Sequence, residues 1–405
     1  MTSTVPQTTT ITIRPFQHRD LENIQRLVTE EAQPDPTEET ASPSQHWEQV
    51  NRWYGILKCL SLFPNPLQHL LSAYVADQGD RLRGVIQVSP FNRTRSTWQV
   101  DQVLIDALQT EGDEQLSALE VGSQLLRYCF QAIWEARTWL IEVNVNDKDT
   151  LALYRHNGFQ PLAHMTYWSI APERLNHLAE REPDLPNLLP VSNADACLLH
   201  QLDTVSMPPL VRQVFDRQPL DFRTSLLGAM VDTVKRRVAH TETASAYVFE
   251  PQRKAAIGYY KLDLCRDGSK PHTAQLTVHP AYTWLYPELM AQMARIVKDY
   301  PEQPLQLVSS DYQPEREEYL EQIGAERIEH TLMMSRSVWH KVRETRFALE
   351  GLQFSEVLQS FQPTRKPVPS RFSLMESIRQ FPQMPGQTDP QSTGEKPSNN
   401  AGESE

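Results

Sequence analysis

The pattern of apolar and polar positions predicts a strand, a short helix and a second strand in series over residues 140–170. Val143 and Val145 alternate with asparagines, which is the period of a strand, and the alternation ends in Asn-Asp-Lys-Asp, a run suited to begin a helix. The following residues place leucines and Tyr154 on one side of that helix. Gly158 supplies the left-handed conformation that ends helices, so we expect a last strand directly after it.

The same patterns predict further elements before this stretch. Alternating apolar residues indicate strands, and apolar residues at helical spacing indicate helices. The predicted strands cover residues 11–16, 74–76, 82–88 and 95–106, and the predicted helices start at Arg19, lie within residues 47–71 and cover residues 116–137. Antiparallel strands in series with helices between them are typical of an α+β sheet.

The order of elements then begins again. The second series comprises a strand at 188–191, a helix at 194–205, strands at 246–250, 256–264 and 274–279, a helix at 287–300, a strand at 305–309, a short helix closed by Gly324 and a strand at 330–336. This repeat predicts two related units in tandem.

Two runs in the first unit resemble the GNAT acyltransferases. LALYRHNGF, residues 151–159, is similar to the family's helix that ends in LY-x-x-x-GF, and VGSQLL, residues 121–126, is similar to its common I-G-S-A-L-L. The resemblance implies two tandem α+β domains, each with a mixed, mainly antiparallel sheet flanked by helices. It also implies acetyl-CoA as the acyl donor and no metal.

The resemblance places Gly122 on the last glycine of the loop that binds pyrophosphate, with Ser123 beside it. Backbone N–H groups at a helix start bind such an anion. Glu120 and Ser117 replace the other two signature residues of that loop, and the segment 111–120 adds carboxylates that would repel the anion. A competent loop and a weakened loop therefore both stay open as interpretations.

Further cofactor contacts are implied on either side of this helix. Backbone groups of Val103, Leu104 and Ile105 would hold the pantetheine arm as an added strand would. The family usually has Asn seven residues before its tyrosine; this position is Asp147, preceded by Asn146.

Two residues are candidates for the catalytic chemistry. Tyr154 aligns with the family's general acid, which protonates the departing thiolate. Asp101, near the start of its strand, is the carboxylate nearest to accept the proton of the amine. Tyr154 as a packing residue and Asp101 as a solvent-facing strand residue are the alternative interpretations.

The second unit resembles another GNAT domain with less of the pattern. LEQIGA, residues 320–325, stands where LYRHNGF stands in the first unit, and no glycine lies between Pro280 and the following helix. A backbone without glycine cannot approach a pyrophosphate closely. We therefore favour a degenerate unit over a second active site.

Charge and composition narrow the function classes. A net charge of −12 disfavours nucleic acid as a partner, because phosphate binding needs clustered lysines and arginines. No apolar run reaches the length of about 20 residues that crosses a membrane, and the start of the chain lacks a signal peptide, so we expect a cytoplasmic protein. The four cysteines lie far apart, which favours free thiols over a metal site or disulfides.

The resulting prediction has five segments: a flexible N-terminus (1–10), a better preserved GNAT domain (11–172), a linker (173–187), a degenerate GNAT-like domain (188–340) and a mostly disordered tail (341–405). The expected function is transfer of an acetyl group from acetyl-CoA to a primary amine of a small molecule or peptide by the first domain. The alternative is a catalytically silent tandem protein that acts as a binding or scaffolding module.

Overall fold

The computed structural model describes residues 11–31, 72–79, 81–106, 117–224 and 240–338. The predicted flexible start (1–10), the predicted helices within 47–71, most of the acidic segment 111–120 and the predicted tail (341–405) lie outside these ranges. Below, the first half means residues 11–172 and the second half means residues 188–338.

The elements follow the predicted order in both halves. The first half contains β1 (Thr12–Pro15), α1 (Leu21–Glu31), β2 (Ser72–Gln78), β3 (Arg81–Pro90), β4 (Thr97–Ile105), α2 (Ala118–Ala132), β5 (Thr138–Asn144), α3 (Lys148–His156) and β6 (Gln160–Ile170). A helix α4 (Pro172–Glu180) leads to the second half. The second half contains β7 (Leu188–Pro190), α5 (Ala196–Ser206), α6 (Pro209–Phe215), β8 (Thr241–Glu250), β9 (Ala255–Cys265), β10 (His272–Val278), α7 (Leu285–Val297), β11 (Leu305–Ser310), α8 (Pro314–Gln322) and β12 (Glu326–Ser337).

All of these strands belong to one mixed sheet. Its order is β1-β2-β3-β4-β5-β12-β6-β11-β10-β9-β8-β7. The pairs β4–β5 and β10–β11 are parallel, and the other neighbouring pairs are antiparallel. The predicted mixed, mainly antiparallel sheet is therefore confirmed, and the two halves run outward from its centre in the same order.

The two halves exchange their last strands at that centre. Leu332 of β12 pairs with Val143 of β5, while β6 pairs with β12 on one side and with β11 on the other. Leu332 and Met334 are buried in the core of the first half, and Trp168 and Ile170 of β6 are buried in the core of the second. Each half therefore depends on the other to complete its sheet and its core.

The helix α6 adds a second connection between the halves. The Thr97 hydroxyl donates to the Val214 carbonyl at 2.8 Å, and the Asn92 amide donates to the carbonyls of Phe215 and Asp216 at 3.2 and 3.0 Å. Thr97 and Asn92 lie at the β3–β4 turn of the first half. This helix of the second half is thus fixed over the first half's sheet.

Two predictions differ from the structure in detail. The helix predicted over 116–137 ends at Ala132; the next residue, Ile133, is buried and has left the helical conformation, and Trp134 is 76% exposed. The predicted linker (173–187) overlaps α4, whose Leu175 is buried in the second core. Among the described residues, Cys129, Cys197 and Cys265 are free thiols, and Cys59 lies outside the described ranges. Within the described ranges, no helix has the length and apolar character needed to cross a membrane.

Candidate functional site

In the first half, the sheet has a gap between β4 and β5. These strands pair only from Thr97 opposite Thr138 to Gln99 opposite Leu140. Both strands continue beyond this point, to Ile105 and to Asn144, without pairing with each other. Among the described residues, no strand pairs with the facing edges of β4 and β5 beyond this point.

Register shows which backbone groups of β4 face the gap. Leu104 pairs with Val85 of β3, and the Asp106 N–H, two residues on, donates to the Arg83 carbonyl. Backbone groups point alternately to either side of a strand, so Leu104 faces β3 whereas Val103 and Ile105 present their N–H and C=O groups to the gap. Two of the three predicted pantetheine-binding residues thus offer backbone groups there, and Leu104 does not.

Asp101 lies at a bulge in β4 beside the start of the gap. The register with β3 shifts at Asp101, between Val100 and Gln102. A bulge bends its strand, which accounts for the divergence of β4 from β5. The Asp101 carboxylate is exposed and accepts a hydrogen bond from the Ser89 hydroxyl at 2.8 Å.

The two predicted residues before α3 organise the start of that helix. Asp147 is its N-cap, and the carboxylate accepts a hydrogen bond from the Thr150 N–H at 3.0 Å. The Asn146 N–H donates to the Asn144 side-chain oxygen at 2.9 Å. The Asp147 carboxylate is therefore occupied by its own helix, while the Asn146 side chain is exposed.

Tyr154 lies inside the first core. It is only 2% exposed, and its ring packs edge-on against Phe159 with centroids 5.5 Å apart. Burial, with a smaller contribution from the Asp147 carboxylate, raises the pKa of Tyr154 well above its ordinary value. The hydroxyl therefore keeps its proton at physiological pH.

Gly122 and Ser123 are engaged in packing α2 against α3. A Cβ on Gly122 would lie 2.8 Å from the Leu153 side chain and 3.0 Å from that of Ile105. The Asn157 amide donates to the Ser123 hydroxyl at 2.8 Å, which ties α2 to the end of α3. The side chains of Leu153 and Ile105 thus lie so close to position 122 that only glycine fits there.

Ser117 begins α2 as its N-cap, and its hydroxyl accepts a hydrogen bond from the Glu120 N–H at 3.3 Å. A Ser cap is a common way to start a helix. Ser117 is one of the two residues that replace signature residues of the family's loop. The loop that joins this cap to β4 lies outside the described residues.

Sequence analysis missed a polar group on β5. Trp139, Ile141 and Val143 face the core beneath α2, so Glu142 lies on the opposite face of the sheet. The Glu142 carboxylate accepts hydrogen bonds from the Tyr167 hydroxyl of β6 at 2.8 Å and from the Thr331 hydroxyl of β12. The available signal was a lone charged residue inside the apolar run of this strand.

A neighbouring contact joins the same three-strand region. The Asn144 amide donates to Glu329 of β12 at 3.1 Å. Burial, with the adjacent Glu142 carboxylate, raises the pKa of Tyr167, so its hydroxyl remains a donor. Two carboxylates, two hydroxyls and an amide thus lie together over β5, β12 and β6, on the side of β5 away from β4.

The second half closes the equivalent gap. Its strands β10 and β11 pair only over His272–Ala274 and Leu305–Leu307. The buried Arg316 of α8 spans the separation beyond them, donating to the carbonyl of Val308 at 3.0 Å and to that of Leu276. Burial lowers the pKa of Arg316. Backbone groups that would receive an added chain are therefore taken by this side chain.

Other residues of the second half also disfavour a bound cofactor. Gly84 lies opposite Ile105, and Gly258 lies opposite Val278, so Leu276 corresponds to the gap-facing Val103. The first turn of α7 carries the buried Glu288, which pairs with Arg181. A buried carboxylate at a helix start disfavours a bound pyrophosphate.

No cluster of His, Cys, Asp and Glu with metal-binding geometry occurs in the described part of the chain.

No family model and no curated protein matches the sequence. Solved structures do match. A tandem GNAT protein from the clavulanic acid biosynthesis pathway is 13% identical, the match covers 82% of this chain and 100% of that one, and the TM-score is 0.50. A GCN5-related N-acetyltransferase from Sphaerobacter thermophilus is 13% identical over 84% of this chain and 98% of that one, with a TM-score of 0.47. The chain therefore has the fold of a tandem GNAT protein.

Proposed function

We propose that the first half transfers an acetyl group from acetyl-CoA to a primary amine. The observation that carries this proposal is the gap between β4 and β5, where Val103 and Ile105 direct backbone groups that pair with no described strand toward an opening next to α3. An amide-containing arm can pair with such an edge as an added strand does. When bound, acetyl-CoA supplies a thioester whose acyl group an amine can accept.

The chain's own residues fit this chemistry. Backbone N–H groups at Val103 and Ile105 can orient the arm and polarise a carbonyl placed in the gap. Tyr154, held protonated by burial, can donate a hydrogen bond from α3, on the α2 side of the sheet. The Asn146 side chain is also free of the helix cap and can contact the arm, whereas Asp147, Gly122 and Ser123 support the helices that surround it.

The second half does not fit acetyl-CoA. Arg316 bridges its gap, Leu320 holds the place of Tyr154, and Glu288 lies in the first turn of α7. We therefore expect one binding site per chain. This contrast within one molecule favours an enzyme with one working half over the silent tandem protein, because Arg316 fills the gap of the second half.

Calorimetry with acetyl-CoA tests the proposal. We expect saturable binding with one site per chain, and release of free thiol when an amine acceptor is added. Val103→Pro removes one N–H that faces the gap and spares the β3 ladder, so it should weaken binding at least about tenfold. Leu276→Pro, at the corresponding position of the second half, is the matched control and should leave binding unchanged. No binding at millimolar acetyl-CoA would refute the proposal.

A further inference from the structure

We propose that Arg336, on the last strand of the second half, is a positioning residue for Tyr154 of the first half. The inference rests on the proposed acetyl transfer and deepens it. It gives the second half a part in that reaction although Arg316 fills its own gap, because its strand β12 supplies a side chain that orients the helix carrying Tyr154.

Arg336 contacts the end of α3. The strand β12 lies beside β5, where Arg336 pairs with Trp139. The guanidinium donates a hydrogen bond to the carbonyl of Asn157, the residue that caps the C-terminus of α3. A Cβ at Gly158 would lie 3.8 Å from the guanidinium carbon, so Arg336 lies directly against the turn that ends this helix.

This turn closes the helix just after Tyr154. The Phe159 N–H donates to the Tyr154 carbonyl at 3.0 Å, and the Asn157 side-chain amide donates to the Leu153 carbonyl at 2.8 Å. A side chain that holds Asn157 therefore restrains the backbone from which the ring of Tyr154 extends.

Packed aromatic rings form a second connection between Arg336 and Tyr154. The guanidinium carbon lies 4.3 Å from the centroid of the Phe130 ring, which is a cation–π contact. Phe130 packs against Phe159 with centroids 6.1 Å apart, and Phe159 packs edge-on against Tyr154 at 5.5 Å. All three rings are buried, and closely packed interiors transmit displacements. A shift of the guanidinium would therefore change the orientation of Tyr154.

The charge of Arg336 suits this place. The side chain is half-buried, and burial, with a smaller contribution from Arg127, lowers the pKa of its guanidinium. A cation beside the last carbonyls of a helix is favourable, because these carbonyls carry partial negative charge. The hydrogen bond to Asn157 and the contact with Phe130 thus offset part of the cost of burying the charge. A neutral apolar side chain would lack both contacts.

The second half offers an internal comparison. Its helix α8 is also followed by a glycine, and a Cβ at Gly324 would lie 3.3 Å from the Arg174 guanidinium. Arg174 is exposed, and the helix beside it carries Leu320 where α3 carries Tyr154. Arg174 therefore lies at the end of the corresponding helix with no hydroxyl to orient, which makes it the matched control.

The test measures thiol release with whichever of spermidine, a lysine-containing peptide or a free α-amino peptide the wild type acetylates best. Arg336→Met removes the charge and the N–H donors, so kcat should fall about tenfold. The KM for acetyl-CoA and its affinity by calorimetry should stay within about threefold of wild type, which also shows that the variant is folded. Arg336→Lys keeps the charge but not the planar contact with Phe130, so kcat should fall only about threefold. Arg174→Met should keep the wild-type kcat.

Dependence on the Tyr154 hydroxyl distinguishes positioning from a general effect on stability. In the Tyr154→Phe background, Arg336→Met should lower kcat by less than about twofold, because no hydroxyl remains to be oriented. An unchanged kcat in Arg336→Met, or an equal loss in both backgrounds, would overturn the inference and leave the proposed transfer intact. Should Arg336→Met fail to fold, Arg336→Lys decides by the same two comparisons.

Two further outcomes separate this inference from the proposed function. Wild-type kcat in Tyr154→Phe would overturn the inference alone, since there would be no acid to position. Failure of the wild type to bind acetyl-CoA would instead refute the proposed function, and the inference with it.

Discussion

Leu320 on α8 occupies the place that Tyr154 occupies on α3. Each is followed four residues later by the glycine that ends its helix with a positive φ, at Gly158 and Gly324. Both side chains are buried, with 2% of Tyr154 and 0% of Leu320 exposed. The two side chains therefore fill the same packing position, but only Tyr154 carries a hydroxyl. The packing role of Tyr154 can thus be tested separately from any chemical role of its hydroxyl.

Tyr154→Phe tests that separation. The ring should still pack against Phe159, so the melting temperature and the affinity for acetyl-CoA should change little. The rate constant kcat for thiol release should fall about 100-fold, because the hydrogen-bond donor is lost. Tyr319→Phe in the second half is the matched control and should keep wild-type kinetics. An unchanged kcat in Tyr154→Phe would make this tyrosine a packing residue only.

Gly122→Ala tests the packing of α2 on α3. The new Cβ would lie 2.8 Å from the Leu153 side chain, so we expect the free energy of unfolding to fall by about 1–3 kcal/mol in urea titrations. Leu153→Ala makes room for that methyl group. The double variant should therefore lose less than the sum of the two single variants, by about 0.5–2 kcal/mol. Additive losses would contradict the close contact.

Arg316→Ala tests the bridge in the second half. Removal of the guanidinium leaves the carbonyls of Leu276 and Val308 unpaired in the core, so the free energy of unfolding should fall by about 3 kcal/mol. Arg327→Ala is the control: this arginine is exposed and pairs with Glu321 and Glu317, so its loss should cost less than about 1 kcal/mol. Equal losses would show that Arg316 does not hold the two strands.

His272 predicts a dependence of stability on pH. Its Nδ1 accepts from the Cys265 N–H at 3.0 Å and its Nε2 donates to the Pro301 carbonyl at 3.0 Å, an arrangement that requires neutral imidazole. Burial lowers the pKa of His272 below its ordinary value of 6.5. The unfolded chain therefore binds this proton at a higher pH than the folded protein does.

The contribution of His272 is complete above pH 6.5 and is lost as the pH falls toward the lower pKa of the folded state. Melting temperatures measured between about pH 7.5 and about pH 5.5 should decline toward acid, and less steeply in His272→Gln. The exposed His177→Gln should keep the wild-type slope. Equal slopes in all three proteins would show that His272 is not held neutral.

Much of the fold could be predicted from the sequence, because the spacing of apolar residues within each segment indicates a helix or a strand. The helix that ends at Gly158 and the strands on either side of it are confirmed, as is their repetition up to Gly324. The exchange of β6 and β12 could not be predicted, since the alternation in a strand records which residues are buried and not which strand lies beside it.

Less of the candidate site than of the fold could be predicted from the sequence. Gly122 matched a phosphate-binding pattern, yet the contact that forbids a side chain there comes from Leu153 and Ile105, which are distant in sequence. Arg316 stands among glutamates in the sequence, yet its side chain is buried. Both roles depend on tertiary neighbours that no local pattern encodes.

The strand exchange also constrains synthesis of the protein. When β6 leaves the ribosome, the strand that belongs beside β5 has not been made, and it becomes complete only at Ser337. At usual translation rates the nascent first half waits on the order of 10–30 s with a strand edge uncovered. Uncovered edges invite pairing with other chains, so a chaperone that shields this intermediate should raise the yield of folded protein.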